Sequence, residues 1–191
     1  MSTQKNEIID VFNRISRHLT QETTLVIIGS GVGIICNQTG RDATKDIDVW
    51  MKTSNFDYLD VKQACEKEGI PFDPIEIEEP DKLYLQIVRE GICQVGDYDV
   101  AESIRLMRIG SLSVIAPPAE NIIASKMVRA SDTDIQDSIF IYRHFGVSME
   151  DIENAIDTFS DASKAEIARE NLVLLRASLG LLNENSNDMR G

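Results

Sequence analysis

Apolar residues recur along the first part of this chain at two spacings, and the switches between them mark its elements. Ile8, Ile9, Val11, Phe12, Ile15 and Leu19 fall at helical spacing over residues 5–19 and predict an amphipathic opening helix. Leu25-Val26-Ile27-Ile28 is an uninterrupted apolar run ending at Gly29, the pattern of a short buried strand. Val32, Ile34 and Ile35, set among Gly31 and Gly33, predict a closely packed helix directly after it. Residues 38–45 are polar and turn-like, and Asp46-Ile47-Asp48-Val49-Trp50-Met51 then alternates as a half-buried strand does.

Residues 56–68 read as a helix ending at Gly69, and 71–79 as an extended stretch with two prolines. Two further strands are expected at 83–88 and 92–95, joined near Gly91, while 100–109 follows neither period. Leu112 to Ala116 is another strand, stopped by Pro117-Pro118. From Ala119 the period becomes helical, over 119–130, 133–144, 148–158 and 161–182, with a break at Gly146. The polar tail 183–191 is expected to be disordered. The fold class expected is α/β (α+β): a mixed sheet flanked by helices over 1–116, then a helical region over 117–182.

Composition narrows the chemistry. At 191 residues, 42% of them hydrophobic, the chain can bury one good core and carry a helical extension. No apolar run is long enough to span a membrane, and residues 1–7 lack a signal-peptide core, so a cytoplasmic protein is expected. Three widely spaced cysteines suit buried reduced thiols, and only two histidines argue against a His-rich metal or triad site. Carboxylates, lysines and arginines are left to do the work. A formal net charge of −13 repels nucleic acid at long range, so sequence-specific DNA binding is not expected. That charge suits a phosphorylated small molecule with magnesium, or a protein partner.

Asp46 and Asp48, two apart on a strand, project from one face, and such a pair can hold Mg2+ against nucleotide phosphates. A solvated strand face would show the same two residues. Gly29-Ser30 lies where an apolar strand meets a helix, a place where bare backbone N–H groups and a hydroxyl receive phosphate. Close packing alone also favours glycine there. The stretch Gly29-Ser30-Gly31-Val32-Gly33-Ile34 fails as a dinucleotide fingerprint because its sixth position is Ile34 and no repeated β-α-β run follows. No G-K-[ST] is present, which excludes a P-loop.

Val26-Ile27-Ile28-Gly29-Ser30 followed by Arg41-Asp42-Ala43-Thr44-Lys45-Asp46-Ile47-Asp48-Val49 resembles the hG[GS]…R-x-x-T-x-D-h-D-h pattern of the minimal nucleotidyltransferase superfamily. Within it, the resemblance is closest to the branch related to AbiEii-type toxins of type IV toxin–antitoxin systems. A second block, Pro117 to Arg129, is similar to that branch's P-P-x-x-L-h-x-x-K-h-x-R helix, and Asp134-Ile135-Gln136-Asp137 to its R-D-x-x-D element. The resemblance implies a mixed sheet with flanking helices, an NTP substrate, Mg2+ held by Asp46 and Asp48, and phosphate contacts from Gly29 and Ser30. It gives Thr44 a supporting place. It also implies an acceptor hydroxyl on a tRNA end, a protein or a small molecule, and an antitoxin partner.

Lys126 and Arg129 share a helix face and could neutralise charge on a triphosphate or its leaving pyrophosphate, or simply be solvated. Ser131-x-x-Asp134 is a capping-box pattern, so Asp134 serves a helix start as readily as a site. Asp137 is placed to pair with Lys126 or Arg129 and hold it.

Two departures from the pattern bear on activity. Thr133 stands where the family has arginine. The family also places a third carboxylate, the general base, on a neighbouring strand, and the matching position reads as Gln94, with Asp97 or Asp99 as substitutes if the register shifts. The expected function is Mg-dependent transfer of an NMP from an NTP to a hydroxyl. The alternative is a weak or inactive nucleotidyltransferase-fold protein that binds a nucleotide or a protein partner.

Overall fold

The apolar runs read as strands before Gly91 pair into one sheet. The structure, a computed structural model, describes residues 3–37, 44–77, 79 and 81–181. Most of the expected turn at 38–45, including Arg41, and the whole tail 183–191 lie outside the described residues. By its contacts the chain forms two units, 1–93 with 99–117, and 94–98 with 118–191.

In the first unit, helix α1 (Thr3–Ser16) precedes strand β1 (Thr23–Ile28), short helix α2 (Ser30–Ile35) and strand β2 (Asp46–Trp50). Helix α3 (Tyr58–Lys67) then leads to β3 (Tyr84–Val88), and a 3-10 turn (Val100–Glu102) to the hairpin of β4 (Ile104–Ile109) and β5 (Leu112–Ala116). The ambiguous stretch 100–109 is thus a turn followed by a strand. The five strands run in the order β3-β2-β1-β5-β4. β1 pairs antiparallel with β2 and parallel with β5, while β2 and β3 are parallel, joined by a crossover through α3. The sheet is therefore mixed and flanked by helices, as expected from the sequence.

The alternation of β2 and β3 separates two faces. Ile47, Val49, Leu85 and Ile87 are buried, and each such side chain contributes about 1.5–3 kcal/mol relative to exposure. Ile8, Phe12 and Ile15 of α1 and Val61, Ala64 and Cys65 of α3 add to this unit's core. Burial pushes the Cys65 thiol up to about 12, so it is an inert core residue. All three cysteines are free.

The second unit contains α4 (Ala119–Met127), α5 (Asp132–Phe145), α6 (Met149–Asp157) and α7 (Ala162–Leu179), together with 94–98. Three of its helix starts are written in side chains: Ser131 and Ser148 form capping boxes with Asp134 and Asp151, and Asp161 caps α7. Gly146 and Gly180 end α5 and α7 in left-handed conformations. No described helix is long and apolar enough to cross a membrane.

Candidate functional site

The antiparallel register of β1 and β2 sets Ile28 opposite Asp48, so the chain leaves β1 at Gly29 beside that carboxylate. Gly29 has φ +71° and ψ −151°, a conformation open to glycine. A Cβ at this position would stand 2.6 Å from Asp48 Oδ2. Two independent constraints therefore demand glycine, and the second is the presence of the carboxylate.

Ser30, the first residue of α2, donates its hydroxyl proton to Thr44 Oγ1 at 2.8 Å. Thr44 in turn donates to Asp46 Oδ1 at 2.7 Å. Gln4 of α1 donates to the Thr44 carbonyl at 2.6 Å, which fixes the buried threonine from behind. Three of the five sheet-side residues expected from the sequence thus meet as Ser30–Thr44–Asp46, and the other two, Gly29 and Asp48, lie against each other. Because α2 has only six residues, its dipole is short, and an anion here would rely on Gly29 and Ser30 themselves.

The strand beside β2 is β3, in parallel register: Asp46 stands opposite Tyr84 and Asp48 opposite Gln86. All four are half-buried and share one sheet face. Burial raises the Tyr84 phenol, and the negative charges of Asp46 and Asp48 raise it further, which places the ring in their field. Gln86 Nε2 donates to Asp73 Oδ1 at 2.7 Å. Asp73 also accepts from Ile87 N–H at 3.2 Å, Arg89 at 2.7 Å and Tyr58 at 3.3 Å. Tyr84, Gln86 and Asp73 were not singled out from sequence. The available signal was the polar positions of Tyr84-Leu85-Gln86-Ile87.

Residues 92–95, expected as a strand, are not one; Cys93 makes an isolated bridge with Glu90. Helix side chains claim the next segment instead. Asn121 donates to the Val95 carbonyl at 2.9 Å, Thr158 accepts from Asp97 N–H at 2.9 Å, and Ser160 donates to Gln94 Oε1 at 3.1 Å. A Cβ on Gly96 would lie 2.5 Å from Thr158 Oγ1, which is how closely this segment runs along the end of α6. Gln94 is buried among helices, and Asp99 caps the 3-10 turn by accepting from Ala101 N–H. The position beside Asp48 on the neighbouring strand is Gln86.

In the helical unit, Lys126 Nζ lies 2.7 Å from Asp137 and 3.6 Å from Asp134. Arg129 grips Asp134 with two bonds of 2.6 and 2.8 Å, and Ser131 donates to Asp134 at 2.6 Å. Both aspartates have side chains only 2% exposed. Burial alone would raise the Asp134 carboxyl, but Arg129, Ser131 and Lys126 outweigh it and hold it at about 2. The two acids keep the two cations in place, and Asp134 also starts α5.

Each group of expected residues gathers within its own unit: Gly29, Ser30, Thr44, Asp46 and Asp48 in the first, Lys126, Arg129, Asp134 and Asp137 in the second. A cleft of about 620 Å³ in the first unit is lined by α1 residues and by Ile70 and 81–83, and includes none of them. Two carboxylates on one face are hard oxygen donors of the kind Mg2+ takes alongside substrate phosphates. Among the described residues, no group of three acid, histidine or cysteine side chains is placed to hold a metal. Asp46 and Asp48 are donors of the kind that would suit a nucleotide-associated divalent ion.

A family model described as Nucleotidyltransferase of unknown function (DUF6036) matches residues 6–173. Comparison with curated proteins gave no match, and neither did comparison with solved structures.

Proposed function

We propose a function from one premise: the chain belongs to the family described as Nucleotidyltransferase of unknown function (DUF6036). The reading is a Mg2+-dependent nucleotidyltransferase that moves a nucleoside monophosphate from an NTP to a hydroxyl. The observation that carries it is Gly29 fitted against Asp48, with Ser30 and Thr44 leading by hydrogen bonds to Asp46. Asp46 and Asp48 would hold Mg2+, which when bound supplies positive charge to the phosphates.

The chain's own residues have definable tasks. Gly29 leaves room for phosphate oxygens at the backbone, and Ser30 supplies a hydroxyl once it turns from Thr44. Thr44 orients Asp46 by donating to Oδ1, and Asp46 so held would be a ligand for the metal. In the transfer, the acceptor oxygen forms a bond to the α-phosphorus and the bond to the bridging oxygen breaks. Pyrophosphate leaves with that electron pair, and the hydroxyl proton passes to solvent. The charge-neutralising role expected of Lys126 and Arg129 is a separate clause of this reading, with Asp137 and Asp134 as supporting residues.

For the acceptor, the net charge of −13 makes a small molecule or protein at least as plausible as a tRNA end. The AbiEii-type branch, and with it a toxin role and an antitoxin partner, belongs to the reading on the strength of the motif pattern alone. Gln86 beside Asp48 favours a second reading, a nucleotide-binding protein without turnover. Incubation with each α-labelled NTP, magnesium and cell extract separates the two. Label that enters RNA, protein or a small molecule and is lost in Asp48→Ala supports transfer. Nucleotide-dependent thermal stabilisation without labelling supports binding alone.

A further inference from the structure

We infer that Gln86, fixed by Asp73, makes the aspartate pair a one-metal site, with a neutral amide where a second divalent ion would need a carboxylate. The inference rests on the reading of Asp46 and Asp48 as metal ligands. Mg2+ is held by one or two carboxylates plus phosphates, and an in-line two-metal site must supply anionic ligands to both ions. On the β3 side of the pair, the two positions in register are Tyr84 and Gln86, neither an acid.

A carboxylate does touch this position, but it is already engaged. Asp73 has a side chain 10% exposed and accepts from Gln86, Ile87 N–H, Arg89 and Tyr58. Its own N–H donates to the Leu85 carbonyl at 2.7 Å, which ties it to the edge of β3. The same contact settles the amide: Nε2 faces a carboxylate, so Oε1 is the end of Gln86 left for other partners. A neutral oxygen accepts a hydrogen bond from a hydroxyl or a water readily, but it brings no charge to a second dication. Gln86 is thus a positioning residue for the acceptor side of the site, and Asp73 acts through it.

The direct test counts ions. Mn2+ is titrated into the protein with one equivalent of each of the four α,β-methylene nucleoside triphosphates, and bound ions are counted by electron paramagnetic resonance. The wild type is expected to bind one Mn2+ per protein–nucleotide complex, without the broadened spectrum of a coupled pair. The double variant Gln86→Glu/Asp73→Asn inverts the hydrogen bond and supplies a third acid. Asn is tolerated at the positive φ of Asp73, +46°, so the variant keeps the backbone. It is expected to bind two ions with the coupled spectrum. Two ions in the wild type, or one in the double variant, would overturn the inference while leaving the metal role of Asp46 and Asp48 standing. No protein-dependent Mn2+ binding with any of the four would overturn that role and the inference with it.

Discussion

Asp46 and Asp48 stand two apart on a strand, and Asp134 and Asp137 three apart on a helix; both spacings set two carboxylates on one face. Their surroundings differ. Asp134 and Asp137 are sealed from solvent and matched by Lys126 and Arg129. Asp46 and Asp48 are half-buried, and Asp46 accepts a hydrogen bond from Thr44, a neutral hydroxyl. A carboxylate pair that has been neutralised by its own protein holds a fold together. Asp48 lies against Gly29, and it is this second pair to which the proposed function gives a ligand role. On the proposed function, the same residue type at similar spacing serves stability in one unit and ligand chemistry in the other.

The contrast is broken most forcefully from the helical side. Asp137→Ala removes the close partner of a lysine whose side chain is 9% exposed, and should cost about 3 kcal/mol in urea unfolding at neutral pH. A cost below about 1 kcal/mol would mean that Lys126 is not held as described. Gly29→Ala comes next: a positive φ and a Cβ 2.6 Å from Asp48 Oδ2 should cost about 2 kcal/mol and displace the carboxylate, weakening metal binding as well.

Acid should report on the Asp134 cluster. The Asp134 carboxyl sits at about 2 when folded, against an ordinary 3.8, so the folded state holds it ionised more firmly than the unfolded chain does. Its contribution is fully present above the unfolded value and is lost as pH falls from about 4 towards 2. The loss amounts to about 2 kcal/mol, and it should vanish from the pH profile of Asp134→Asn. The smallest effect belongs to the sheet: Asp46→Asn and Asp48→Asn should each change unfolding free energy by less than about 1 kcal/mol. A larger destabilisation would show these acids to be structural too.

Much of this was written locally in the chain. The alternation of Asp46-Ile47-Asp48-Val49 reports both the strand and the common face of the two acids, and Ser131 with Asp134 reports the start of α5. Such features need only neighbours in sequence. The partner of β2 was not readable, because a parallel pair is joined through a crossover, here α3, and nothing in residues 84–88 alone states which strand they will join or in what register. Residues 92–95 misled for the opposite reason. Their apolar content suits a strand, but backbone and side-chain groups of 94–97 are taken by Asn121, Thr158 and Ser160 of the helical unit. The position beside Asp48 therefore fell to Gln86, which sequence order had passed over.

The most direct test of the aspartate pair as a metal–phosphate site is calorimetric titration of wild type and Asp48→Asn with each NTP, with magnesium and with EDTA. At least one NTP should bind the wild type only when magnesium is present, and the same NTP should bind Asp48→Asn at least 30-fold more weakly although the variant is as stable as the wild type. Binding of equal strength in the variant or in EDTA, or no binding of any NTP, would contradict the account.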